Sequence, residues 1–207
     1  MGMLGRWLSI AALAALIIVG PFVYYRYEYT DTKRVRVVAE GKLIRSGQLS
    51  VDGLTKAVLQ FGIRTVVNVQ DDVPDPEMIT NWFNTSTIPE SVLCRQLGVR
   101  YIHLSPDLIS RQKGPPERAE AIDHFLEIMD DPRNHPVLLH CRAGLHRTGC
   151  LAAIYRMEYQ GWSREQALEE LKDHGFGIFF CSSANDYVKQ YVLEYEPGVR
   201  WKITRAN

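Results

Sequence analysis

A thiol and a guanidinium with five residues between them, at the end of an apolar run, form the most chemically pointed feature of this chain. The stretch Val137 to Gly149 reads VLLHCRAGLHRTG. The apolar run closes on His140-Cys141, Arg147 follows, then Thr148-Gly149, and then an apolar stretch of helical character from Cys150 to Tyr159. That order predicts a strand, a tight loop and a helix. A loop feeding a helix N-terminus gathers backbone N–H groups into one concavity, where the helix dipole adds positive potential. Such a nest suits a phosphate dianion, and it equally favours the ionised form of a thiol. Arg147 supplies a planar fork for two phosphate oxygens. Cys141 therefore reads as a nucleophile, and Arg142, Ala143, Gly144, Leu145, His146 and Arg147 as a phosphate loop.

Spacing alone does not single this loop out. Cys94 and Arg100 have it, as do Cys150 and Arg156. The Cys150 pair falls inside a predicted helix, where that separation turns the side chains apart. The Cys94 pair runs through Gly98 into the next strand without a phosphate-sized loop. Only Cys141 combines a preceding β run, an internal Gly144, a Thr-Gly exit and a following helix.

HCRAGLHRTG resembles the signature loop of the cysteine-dependent protein tyrosine phosphatases. The layout over about residues 35–195 is similar to the dual-specificity branch. The resemblance implies a phosphocysteine intermediate on Cys141, amides from Arg142 to Arg147 cradling the phosphoryl oxygens, and a bidentate Arg147. It also implies that His140 orients the loop and favours the thiolate, and that the Thr148 hydroxyl stabilises the departing thiolate. Ester hydrolysis further needs a proton for the leaving oxygen, supplied by a carboxylic acid on a nearby loop. Asp107 is the candidate, thirty-four residues before Cys141 at the end of a predicted strand, and GVRYIHLSPDL looks like the family's strand and acid loop. Asp72, at the end of another strand, is the alternative. Asn185 and Tyr187 resemble a C-terminal segment that backs the site. Arg45, in GKLIRSGQLS, reads as a substrate contact or a surface arginine, and His146 as a substrate contact or a solvent-facing ring. Ligation of a metal by His135, His140, Cys141 and His146 is disfavoured, because loop amides attract anions. No cofactor is expected.

The sequence has 207 residues, 46% of them apolar, which fits one domain plus an appendage. The formal net charge is zero and no long basic run occurs, so nucleic acid is not an expected partner. Cys94, Cys141, Cys150 and Cys181 lack disulfide or metal spacing and read as reduced thiols. Residues 1–34 form the appendage and 35–207 the catalytic domain. Trp7 to Tyr25 is nineteen uncharged residues between Arg6 and Arg26, long enough for one membrane-spanning helix. Trp7, Tyr24, Tyr25, Tyr27 and Tyr29 are placed like interfacial aromatics. A cleaved signal peptide competes, but no A-x-A-like site follows the apolar core. Met1-Gly2 lacks the myristoylation pattern. Lys33, Arg34 and Arg36 join Arg26 on the C-terminal flank, so the positive-inside bias places the catalytic domain in the cytoplasm.

After the appendage, Val35–Val38 and Leu43–Arg45 predict a hairpin around Glu40-Gly41. Asp52 is the expected cap of a helix ending at Gly62, and 63–69 reads as a buried strand. Further helices are expected at 90–97, from Pro115 or Pro116 to 130, and at 150–160, 163–173 and 184–194. Strands are expected at 99–104 and 137–140. The alternation predicts an α/β fold, a mostly parallel central sheet flanked by helices and preceded by one N-terminal transmembrane helix.

Three functional readings follow. The first is a membrane-anchored protein tyrosine or dual-specificity phosphatase. The second is a phosphoinositide or inositol-phosphate phosphatase, supported by cationic Arg142 and His146. It is opposed by Arg142 and Leu145 standing where lipid phosphatases carry two lysines. The third, an inactive phosphate-binding membrane adaptor, predicts loss of Cys141, Arg147 or the acid, and none is lost.

Overall fold

The computed structural model describes residues 3–70, 73–80, 86–104, 119–176 and 188–200. Its strands are β1 (Arg36–Ala39), β2 (Leu43–Gly47), β3 (Thr65–Asn68), β4 (Glu77–Ile79), β5 (Thr87–Pro89), β6 (Arg100–His103) and β7 (Val137–Cys141). Its helices are α1 (Met3–Arg26), α2 (Val51–Phe61), α3 (Glu90–Gln96), α4 (Glu120–Asp130), α5 (Arg147–Gln160), α6 (Arg164–Asp173) and α7 (Val188–Leu193). A π-helical turn, Tyr27–Asp31, extends α1.

The central sheet has the order β1-β2-β7-β3-β6. The pairings of β2 with β7, β7 with β3 and β3 with β6 are parallel, whereas β1 runs antiparallel to β2. The central sheet is thus mixed, and three of its four pairings are parallel, as the expected mostly parallel sheet requires. The chain reverses at Gly41, which has φ +64°, and the hairpin sends β1 to the edge. β4 and β5 form a separate antiparallel pair in the segment that sequence patterning left undefined.

Alternation in the strands feeds two cores. Leu43, Val67, Val137, Leu139 and Cys141 pack with α4, α5 and α6, while Ile44, Val66 and Leu138 face Leu54, Leu93 and Cys94 of α2 and α3. β7 is buried along its whole length, as a central parallel strand must be. It therefore carries His140 and Cys141 to the carboxyl end of the sheet on opposite faces.

Two helix starts differ from expectation. Ser50, not Asp52, caps α2, its side chain accepting from the Gly53 amide at 3.1 Å. α5 begins at Arg147 rather than Cys150, because Gly149 and Cys150 already donate to the Leu145 and His146 carbonyls. That shift brings the free amides of the first turn against the loop. The expected helix start at Pro115 or Pro116 lies outside the described residues.

α1 projects an almost fully exposed apolar surface, including Leu13, Leu16, Ile17 and Ile18. The helical run Gly5–Asp31 is long and apolar enough to cross a membrane, with a mean hydropathy of 2.1. The chain just beyond it is bound to the α/β body. Ser50 donates through its amide to the Thr30 carbonyl at 2.9 Å and through its hydroxyl to the Asp31 carboxylate. The Gly47 amide donates to the Lys33 carbonyl at 2.8 Å. A Cβ on Gly53 would lie 2.3 Å from the Asp31 carbonyl oxygen, so glycine permits this approach.

Candidate active site

The loop between β7 and α5 is shaped from outside. The Gln48 amide donates to the Arg142 carbonyl at 3.3 Å, Arg34 to the Ala143 carbonyl at 2.9 Å, and Arg45 to the Gly144 carbonyl at 3.0 Å. In a planar trans peptide the C=O and the next N–H point in opposite directions. Drawing three successive carbonyls outward therefore aims the amides of Ala143, Gly144 and Leu145 inward. The Gly144 amide indeed donates to Cys141 Sγ at 3.2 Å. Gly144 has φ +72°, and a Cβ there would sit 2.5 Å from the Gly47 amide nitrogen. Both the backbone conformation and the close approach demand glycine.

Arg45 is not the surface arginine its sequence context allowed. It is 2% exposed, under the loop rather than on it or on the surface. Burial pulls its guanidinium down to about 10, opposed by the negative charges of Glu170 and Cys141. It stays charged at neutral pH and adds positive potential beneath Cys141. Glu170 in turn pairs with Arg156 at 2.5 Å, tying α6 to α5.

His140 lies on the α3 face, where Nε2 approaches Glu90 Oε2 at 3.1 Å with both side chains buried. The approach does not meet hydrogen-bond geometry, and neither atom has a hydrogen bond among the described residues. Its neighbours in the sheet are Ser46 and Asn68, and its carbonyl accepts from Val69 at 2.9 Å. Asn68 accepts from the Gln70 amide at 2.9 Å and donates to the Tyr101 hydroxyl at 2.9 Å, fixing the turn beyond β3 beside the site.

Thr148 is fully buried in the first turn of α5, and its hydroxyl makes no hydrogen bond among the described residues. Arg147 opens that turn. His146 is half-buried, its ring edge-on to Phe176 with centroids 5.4 Å apart. Burial, then the nearby Arg34 charge, lowers its pKa below the usual histidine value of 6.5. The ring is therefore neutral at pH 7, and it packs rather than facing open solvent.

The competing thiols have other surroundings. Burial, with Glu90 and Asp75 behind it, pushes Cys94 up to about 12, and burial pushes Cys150 upward as well. Neither ionises at neutral pH. His135 sits apart from the loop, its Nε2 3.0 Å from the Met129 carbonyl. Asp107, Asp72, Asn185, Tyr187 and Cys181 lie outside the described residues. The structure thus brings together Cys141, the loop 142–147, His140 and Thr148. It adds three groups the motif did not reveal: Arg34, Arg45 and Glu90.

A parallel strand, an amide-lined loop closing on a thiol, and a helix opening with arginine define the class: a cysteine-dependent phosphatase fold of the dual-specificity type. The family described as a DSP-PTPase phosphatase fused to NAD+ kinase matches residues 23–183 of the 207, and the chain belongs to it. The dual specificity protein phosphatase TpbA of Pseudomonas aeruginosa is 44% identical over 59 residues, 28% of this chain and 27% of that protein. The inositol diphosphatase SIW14 of Saccharomyces cerevisiae is 43% identical over 82 residues, 40% of this chain and 27% of that protein. The chain thus spans about a quarter of the length of these curated relatives. The crystal structure of the SIW14 catalytic core, solved with citrate, superposes with a TM-score of 0.57 at 20% identity, covering 78% of this chain and 85% of that one.

Proposed function

We propose that this chain is a phosphoric monoester hydrolase working through a phosphocysteine, most naturally as a protein tyrosine or dual-specificity phosphatase. The observation that carries it is the Gly144 amide donating to Cys141 Sγ inside a loop whose carbonyls are drawn outward. In the proposed reaction the Cys141 thiolate attacks phosphorus, the Sγ–P bond forms and the ester P–O bond breaks. Asp107 gives its proton to the leaving oxygen. Water then attacks phosphorus, Asp107 takes a proton from it, and Sγ departs, releasing inorganic phosphate. Arg147 and the amides of 142–147 balance the charge on the equatorial oxygens. His140 and Thr148 support the loop and the returning thiolate.

A second substrate reading, an inositol phosphate or phosphoinositide, is favoured by Arg142 and Lys33 standing beside the loop, and relatives named as inositol diphosphatases support it. The N-terminal helix is proposed as a single membrane crossing that keeps the catalytic domain, residues 35–207, on the cytoplasmic side. Its length and apolarity support this reading and fit a signal sequence equally.

The test is phosphate release by the full chain in detergent, from phosphotyrosine peptides, phosphothreonine peptides and inositol phosphates, with wild type and Cys141→Ser. Release that disappears in the variant is expected. Turnover that survives Cys141→Ser would remove the covalent mechanism. Silence of the wild type on every substrate would leave a phosphate-binding adaptor.

A further inference from the structure

Beside the catalytic loop lies a cavity of about 180 Å³ whose wall includes Tyr29, Lys33, Gln48, Ser50, Glu77 and Arg142. Two cations face it from different parts of the chain. Arg142 is the exposed first residue of the phosphate loop, and Lys33 comes from the segment that follows the N-terminal helix. The Lys33 stem lies over Gly47: a Cβ there would be 2.8 Å from its Cδ, so any larger residue would push the stem aside. Neither cation has an ion pair or side-chain hydrogen bond among the described residues. Glu77 also lines the cavity, yet it is exposed and pairs with neither. A lysine held against two arginines without an anion is an arrangement that an added anion would relieve.

We infer that Lys33 and Arg142 form a second anion subsite, which takes another phosphate of the same substrate while the first is held over Cys141. The substrate class is then a small polyol carrying at least two phosphates, free or as the headgroup of a lipid. This rests on the hydrolase reading and deepens its second alternative. Electrostatics agree with the geometry. Burial, then Arg34, lowers the Lys33 pKa; Cys141 raises it and Arg142 lowers it again, which places the ammonium within reach of both the nucleophile and the loop arginine. A carboxylate or phosphate bridging Lys33 and Arg142 would gain charge-assisted hydrogen bonds from both. The subsite would therefore discriminate by phosphate count rather than by the identity of the leaving group.

The experiment compares an inositol monophosphate with an inositol bisphosphate bearing adjacent phosphates, using the full chain. Lys33→Met is the informative variant, because it keeps the aliphatic stem over Gly47 and removes only the charge. The expected result is a roughly tenfold fall in the kcat/KM ratio of bisphosphate to monophosphate, carried mainly by KM, with recovery in Lys33→Arg. Binding of both ligands to Cys141→Ser, measured by calorimetry, reads the subsite without turnover. A hydrolase that fails on every substrate but binds bisphosphate in a Lys33-dependent way would spare the subsite and sink the activity. An equal effect of Lys33→Met on both ligands would overturn the subsite. A third arm presents the bisphosphate headgroup on phosphatidylcholine vesicles. A Lys33 dependence there but not with the soluble ligand would identify a lipid as its source.

Discussion

Arg45 shows how a single buried charge can shape the loop between β7 and α5. It donates to the Gly144 carbonyl at 3.0 Å, and the nearby charge of Glu170 offsets part of the effect of its burial. Replacing it with methionine keeps volume but leaves that carbonyl without its donor and removes one cation near Glu170, which Arg156 still pairs. We expect Arg45→Met to cost about 1–3 kcal/mol of stability, read from the urea midpoint, and to lower kcat about 100-fold, the scale of losing one oriented amide donor. Retention of full activity would mean that Arg34 and Gln48 alone set the loop. His146 gives a pH-dependent prediction. Its pKa, like that of His174, is lowered in the fold, chiefly by burial. The unfolded chain therefore binds more protons than the folded one as the pH falls below about 6.5, and stability declines in that direction. His146→Gln should flatten the decline between neutral and mildly acidic pH. A denaturation series in which the slope is unchanged would assign the acid sensitivity to other groups.

At the level of elements, β7, the loop and α5 were legible because their signals are local. An apolar run, a thiol, a glycine and an arginine follow one another within a dozen positions, and each step has its own physical reason. The hairpin, β3, α3 and β6 were legible for the same cause, periodicity and turn residues. What holds the loop was not, since Arg45 and Arg34 lie 99 and 109 positions from the carbonyls they bind. No periodicity in the sequence reports such a pairing; it arises from β2 lying parallel beside β7. The cap of α2 was misplaced because Ser50 and Asp52 are both competent caps, and only the Asp31 carboxylate, drawn in from the π-helical turn, distinguishes them. That junction is itself testable. Ser50→Ala removes the cap and the contact with Asp31, and should lower stability by about 0.5–2 kcal/mol. It should also expose the Tyr27–Lys33 segment to protease in the full chain. A loss of stability with no change in cleavage would make Ser50 a helix cap only.

For the molecule as a whole, the relation between α1 and the catalytic body matters more than either part. Leu13, Leu16, Ile17 and Ile18 are each more than half exposed on α1. Exposed apolar area on that scale is unfavourable in water at about 25 cal/mol per Å², and a bilayer accommodates a helix of this length. The aromatic residues Tyr24, Tyr25, Tyr27 and Tyr29 follow at its lower end, with Tyr25 and Tyr29 stacked at 5.1 Å. Beyond them no slack intervenes. Thr30, Asp31 and Lys33 are bonded to Ser50 and Gly47, and Arg34 to the loop between β7 and α5. An anchor in this position would hold the phosphate loop close to the membrane surface, instead of letting the domain swing on a tether. The full chain expressed in cells should therefore stay with membranes through an alkaline wash, and its intact mass should include the α1 residues. Release by the wash, or a mass that begins after Tyr25, would make α1 a signal sequence. The same contacts from Thr30 to Arg34 would then serve only to shape the site. If the anchor is retained, a flexible Gly-Ser insertion between Arg26 and Tyr27 should leave hydrolysis of soluble substrates near wild type while slowing hydrolysis of the same headgroup on vesicles.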